Sequence, residues 1–152
     1  WSSEQVFFTR FFREFPDLNC RDSVLTSLFR YYVSENEDQF CDNFYLNLDD
    51  INALLDSGMC IGGHGFYSLN SSFESKVIQS KEIILSYQFL HKNVFKSNDF
   101  DFLYSYPNGG VTSAAKIELS KLNCRGAFTT RRSVNHGLSI LEIPRFDGTK
   151  DI

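Results

Sequence analysis

Along the first sixty residues, apolar side chains recur at helical spacing. Between Ser2 and Glu14 the positions Val6, Phe7, Phe8, Phe11 and Phe12, followed by Phe15, form such a stripe, with Ser2 or Ser3 and Glu4 at its start. This predicts a helix that Pro16 ends. A second helix is expected from Asp22 to about Ser34, where Asp22 can cap and Leu25, Leu28, Phe29, Tyr32 and Val33 share one face. The acidic stretch SENEDQF reads as a solvated turn leading into a short helix. In LDDINALLDSG, Asn47 is placed to cap, and Asp49 and Asp50 put negative charge at the positive end of the helix dipole. Gly58 then supplies a left-handed stop.

Beyond Gly58 the pattern changes to short apolar runs alternating with helical ones. MCIGG reads as a buried strand, and SFESKVIQSKEIILSYQFLHKN as a long helix capped by Ser72, or by Ser71 with Glu74 at capping-box spacing. There follow a strand in FDFLYSYP (residues 100–107), the loop NGG, a helix from Thr112 to Leu122, a strand in CRGAFTT, and a strand in LSILEIPRF. Strands alternating with helices imply parallel βαβ units. The expected organisation is a helical insertion or cap over residues 1–57 and an α/β domain over residues 58–152. In parallel architectures functional groups gather at the carboxyl ends of the strands. His64, Tyr106 to Asn108, Thr129 to Arg132, and Arg145 to Asp147 all fall there.

Composition narrows the picture. The 152 residues fit one domain and can bury a real core. The 16 Phe and 7 Tyr fit a packed aromatic core or a carbohydrate-binding surface, and composition leaves both open. A net charge of −4 and a pI near 5.3 argue against a nucleic-acid partner, with Arg131-Arg132 the one locally basic spot. No apolar run approaches the length of about 20 residues that a membrane span needs. Cys20, Cys41, Cys60 and Cys124 show no CxxC pairing and are expected as reduced, packed thiols. The chain starts at Trp1 without a readable targeting signal, so the expectation is a piece of a longer, cytoplasmic protein.

Candidate chemistry centres on His64, a histidine placed directly after two glycines at a strand end, where imidazole can ligate a metal or move a proton. His91 sits near the end of the long helix, where a cation favours the dipole, and His136 lies in the polar loop SVNHGLS; neither is assigned catalysis. Asn108-Gly109-Gly110 before a helix lacks the spacing of a phosphate-binding loop.

Three stretches resemble a known family. DSGMCIGGHGFYSLNSSFESKVIQSKEIIL is similar to the second motif of polysaccharide deacetylases, G-(x)-x-I-(G/A)-(S/N/G)-H-(G/T)-x-x-H-x-x-L, with matches at Gly58, Ile61, Gly62, His64 and Gly65. FLYSYPNGGVTSAAKIELSKLNCRGAFTT resembles the third motif, an apolar strand, Y-P-Y-G, a helix and a glycine-containing strand. LEIPRFDGTKD looks like the terminal strand of a group in that family, L-(E/P)-(L/I)-P-R-(L/I/F)-D. The three occur in the family's order over residues 45–152.

The resemblance implies a partial, distorted (β/α) barrel of the polysaccharide deacetylase type, preceded by a helical segment. It implies a divalent metal, commonly zinc, held by one Asp and two His, with a second Asp as general base and an N-acetylated glycan or sugar precursor as substrate. Carried over residue by residue, His64 becomes a metal ligand, and Tyr106, Pro107, Asn108 and Gly109 line the substrate groove, with Asn108 where the family has a second Tyr. Arg145 and Asp147 match the terminal-strand word as site support, against the alternative of a structural ion pair. Two departures stand out. Ser68 occupies the second metal-histidine position, and the family's T-F-D-D strand is absent, since Asp49-Asp50 lies at a helix start. The base is therefore expected upstream of residue 1, in a missing amino-terminal part of the barrel. The leading expectation is a metal-dependent hydrolase of N-acetyl groups that is inactive as this chain alone. The alternative is a noncatalytic relative that binds carbohydrate or a partner.

Overall fold

Helix α1 (Ser3–Arg13) starts at a capping box in which Ser2 and Gln5 exchange bonds: Gln5 N donates to Ser2 Oγ at 3.3 Å and Ser2 N to Gln5 Oε1 at 2.8 Å. The computed structural model describes residues 2–13, 17–95, 100–134, 137, 139–146 and 148. The helix stop expected at Pro16, the loop histidine His136 and the strand-end Asp147 lie outside these residues. The chain divides into two compact units, Trp1–Ala53 and Leu54–Ile152.

In the first unit, α2 runs Leu18–Tyr32 and begins earlier than the apolar stripe indicated. Asp17, with extended backbone, is the cap, accepting from Cys20 N at 3.0 Å. Asp22 lies inside the helix and pairs instead with Arg21 at 2.8 Å. Leu18, seven residues before Leu25, already fits the helical spacing, and the helix therefore starts a turn ahead of Asp22. Helix α3 (Glu37–Phe44) is capped by Asn36, and Phe40 joins the two helices, edge-on to Phe29 at 5.0 Å and stacked on Phe44 at 5.2 Å. Among the described residues of this unit no side chain is buried, so the aromatic positions here do not form the expected core.

Helix α4 (Leu48–Asp56) starts as the sequence indicated. Asn47 Oδ1 accepts from Asp49 N and Asp50 N, and Asp50 Oδ2 accepts from Asn47 N at 2.9 Å. Gly58, at φ +86°, closes it, with Met59 N donating to Leu54 O at 3.0 Å.

The second unit carries a parallel arrangement. Strand β1 (Leu103–Ser105) pairs in parallel with β2 (Gly126–Phe128), in the register Leu103 to Gly126 and Ser105 to Phe128. Single parallel bridges extend the pair on both sides, Gly63 to Tyr104 and Phe128 to Ile143. Four segments thus lie side by side in chain order. The expected strands MCIGG and LSILEIPRF shrink to these single bridges. Glycine adds no side chain to a ladder and Pro144 has no N–H to give one. At Gly63 the reason is close approach: a Cβ there would lie 2.7 Å from Ser86 Oγ and 3.1 Å from Tyr104 Cδ2.

Helix α5 (Lys76–Asn93) connects the first two segments and α6 (Ser113–Lys121) connects β1 to β2, and the two helices pack together. A short 3-10 turn, Ser71–Phe73, precedes α5, whose cap is Ser75, accepting from Ile78 N at 3.3 Å, rather than Ser71 or Ser72. Thr112 caps α6. The core lies between helices and sheet, with Ile83, Ala115, Leu119 and Ala127 fully buried. Phe102, Tyr104 and Tyr106 alternate into it along β1, and Tyr87 of α5 meets Phe102 edge-on at 5.1 Å. The expectation of a parallel α/β fold is met, and the described residues contain no closed barrel. All four cysteines are free, but only Cys124 is buried, so packing of all four thiols is not observed. Among the described residues no helix is long and apolar enough to cross a membrane.

Candidate functional site

Because the four segments run parallel, their carboxyl ends share one edge, and His64 stands there directly after the Gly63 bridge. Gly63 N donates to Leu103 O and Ser105 N donates to Gly63 O, both at 2.8 Å, which fixes the main chain beneath the imidazole. His64 Nδ1 lies 2.8 Å from Ser105 O. A carbonyl only accepts, so Nδ1 carries the proton and donates it. In the neutral ring the lone pair is then on Nε2, the arrangement that an oriented metal-ligating or proton-accepting histidine requires. The exposed His64 also borders a 310 Å³ depression that passes over Gly62 and Gly63 to Ser86 and Phe89 of α5.

The loop after His64 is organised by a residue that the sequence reading did not single out. Glu82 of α5 is 5% exposed, and its Oε2 accepts from Tyr67 N at 2.9 Å and from Leu69 N at 3.4 Å. Between those two donors Ser68 adopts φ +54° and is exposed. Gly65, at φ +78°, sits where a Cβ would come within 3.0 Å of Glu82 Oε2 and 3.2 Å of Pro107 Cγ. Burial pushes the Tyr104 phenol well above its ordinary pKa, and the charge of Glu82 adds to the effect. The available signal was periodicity: Gln79, Glu82, Ile83, Ser86 and Leu90 form one buried stripe of α5, and Glu82 falls in it.

The second loop differs from the expected groove. Tyr106 is 1% exposed, its N–H donates to Phe128 O at 3.0 Å and its hydroxyl to Leu141 O at 2.8 Å. Burial raises its pKa strongly. Tyr106 and the buried Pro107 therefore belong to the core, and neither side chain lines an open groove. What this loop presents at the surface is Asn108, at φ +53°. Gly109, at φ +73°, packs so tightly that a Cβ would lie 2.0 Å from Thr130 Oγ1, joining this loop to the one after β2.

Arg145 sits at the carboxyl end of the fourth segment. Its Nε donates to Thr129 O at 3.0 Å, its N–H to Arg131 O at 3.0 Å, and its guanidinium lies 6.0 Å from the centre of the Phe128 ring. These contacts tie the third and fourth loops together. The structure thus gathers His64, Ser68, Asn108 and Gly109 with Pro107 at adjoining loops, and gives Arg145 a bracing place beside Thr129.

A zinc site of the implied kind needs three protein donors. His64 offers one imidazole nitrogen, but among the described residues no group of three His, Cys, Asp or Glu side chains stands close enough to hold an ion. Ser68, a neutral hydroxyl, is a weak substitute for a second imidazole. The donors described in this chain do not by themselves fit the metal.

No family model and no curated protein sequence matches the chain. Among solved structures it is similar to the deacetylase PplD of Streptococcus pyogenes, determined in complex with acetate, with a TM-score of 0.57 and 21% identity. The match covers 79% of this chain and 48% of that one, so the chain spans about half the length of PplD. At this identity the likeness is one of fold: this chain shares the α/β architecture of about half of that structure.

Proposed function

We propose that this chain is the carboxyl-terminal part of a deacetylase-type (β/α) barrel that hydrolyses the N-acetyl group of a glycan or sugar precursor, releasing acetate and a free amine. The observation that carries this reading is the imidazole of His64, held by Ser105 O so that Nε2 stays open at the carboxyl edge of a parallel sheet. The fold shared with a deacetylase supports it. In this reading His64 presents a neutral nitrogen to the reaction centre, the Gly65–Leu69 loop and Asn108 flank it, and Arg145 braces the far side. The base and remaining donors come from outside this chain.

The test is acetate release from an N-acetylated oligosaccharide by the full-length protein that carries this chain. The expected result is release by wild type and none by His64→Ala. Equal release by both overturns the reading. Ser68 at the second ligand position favours one alternative, a noncatalytic carbohydrate-binding relative. Oligosaccharide binding without acetate release by wild type selects that alternative.

A further inference from the structure

We infer that Glu82 is a positioning residue of the His64 site, acting through the Gly65–Leu69 loop; the inference rests on reading the His64 edge as the functional one. Burying a carboxylate is unfavourable unless donors or a cation compensate it. Among the described residues no lysine or arginine pairs with Glu82, and its compensation comes from two main-chain N–H groups, those of Tyr67 and Leu69. Packing α5 on the sheet does not need a charge at this point, since Ile83 and Leu90 serve on the same stripe. The carboxylate does what an apolar residue cannot. It gathers the N–H groups on either side of Ser68, which turns that residue outward at φ +54°.

The same oxygen also lies close to the residue that follows His64. Gly65 is confined between Glu82 Oε2 and Pro107 Cγ, at 3.0 and 3.2 Å from the place a Cβ would take. His64 is held through its ring by Ser105 O, and the loop that leaves it is held by Glu82 at Tyr67 N and Leu69 N. Loss of the carboxylate frees the loop and with it the orientation of Nε2.

The test uses Glu82→Met, which keeps the length of the side chain but removes both accepting oxygens, and Ile83→Val as a control that thins the core on the same helix turn. Amide exchange at Tyr67 and Leu69 and the ring nitrogen-15 signals of His64 are followed by NMR at equal distances below each Tm. Glu82→Met is expected to speed exchange at both amides about tenfold or more and to mix the His64 tautomers, whereas Ile83→Val lowers Tm and does neither. Unchanged exchange and unchanged ring signals in Glu82→Met overturn the inference. Should that variant fail to fold, Gly65→Ala crowds the same oxygen; His64 ring signals identical to wild type in that variant overturn it as well. Binding of an N-acetylglucosamine tetramer is read on the same samples. If no sample binds while the loop responds, the proposed function fails and the positioning role stands. If a variant with a freed loop binds as wild type does, the positioning role falls.

Discussion

The Nδ1–H of His64 donates to the carbonyl oxygen of Ser105 at 2.8 Å, joining the first segment of the parallel sheet to the end of β1. The bond crosses 41 residues of chain and decides which ring nitrogen is open. Because the ring is exposed, the bond matters more for orientation than for stability. His64→Ala is expected to lower unfolding free energy by only about 0.5–1.5 kcal/mol, read as the midpoint in urea. A loss above about 3 kcal/mol would mean that His64 is a structural residue.

Ser68 is exposed and left-handed, a backbone region that histidine enters more readily than most residues. Ser68→His therefore keeps the loop and adds a second imidazole near His64. Zinc is expected to bind this variant more tightly than wild type by isothermal titration, and an unchanged titration counts against Ser68 as a vacated ligand position. Ser68→Gly, which removes the left-handed penalty, is expected to stabilise by up to about 1 kcal/mol.

Two glycines separate backbone cost from crowding. Gly58 has φ +86° and nothing within 4 Å of an added Cβ, so Gly58→Ala should cost about 1–2 kcal/mol from its dihedral alone. Gly65 has a similar φ of +78° but faces Glu82 Oε2 and Pro107 Cγ. Gly65→Ala should cost measurably more in the same urea titration. Equal losses would show that the Glu82 contact carries no energy.

Alkaline pH should destabilise the second unit through two tyrosines. Burial raises the pKa of Tyr104 and Tyr106 in the folded chain above the ordinary value of 10.0. Both phenols are neutral in either state below that value, so their contribution is intact there. Above it the unfolded chain ionises first, and stability falls as pH climbs toward the folded pKa. Thermal unfolding between pH 9 and 11 should show Tm dropping above about pH 10. Spectrophotometric titration should show these two phenols resisting ionisation until unfolding, and a uniform titration of all tyrosines near pH 10 would contradict it.

Much of the local architecture was legible. The Asn47–Asp50 cap and the Gly58 stop were readable because each joins atoms only a few residues apart, and the helix expected from Thr112 starts there, with Thr112 as its cap. The cap of α2 was placed at Asp22 because two capping aspartates, Asp17 and Asp22, precede the stripe that starts at Leu25, and local pattern does not choose between them. In the site, the two glycines before His64 announced a strand end. The resemblance put Tyr106, Pro107, Asn108 and Gly109 along a groove, and the structure buries the first two side chains and leaves Asn108 at the surface, because a loop word does not say which of its side chains meet the core.

The sequence by itself determined the helices, the cap of α4, the order of parallel segments and the position of His64 at a segment end, since these depend on periodicity and on bonds between near neighbours. The tertiary structure alone decided which nitrogen of His64 is open, that Tyr106 turns inward to Leu141 across 35 residues, and that Glu82 closes the loop around Ser68 from 15 residues away. Those contacts form only after chain closure has brought the segments together, and no local pattern encodes which carbonyl or N–H will then be in reach.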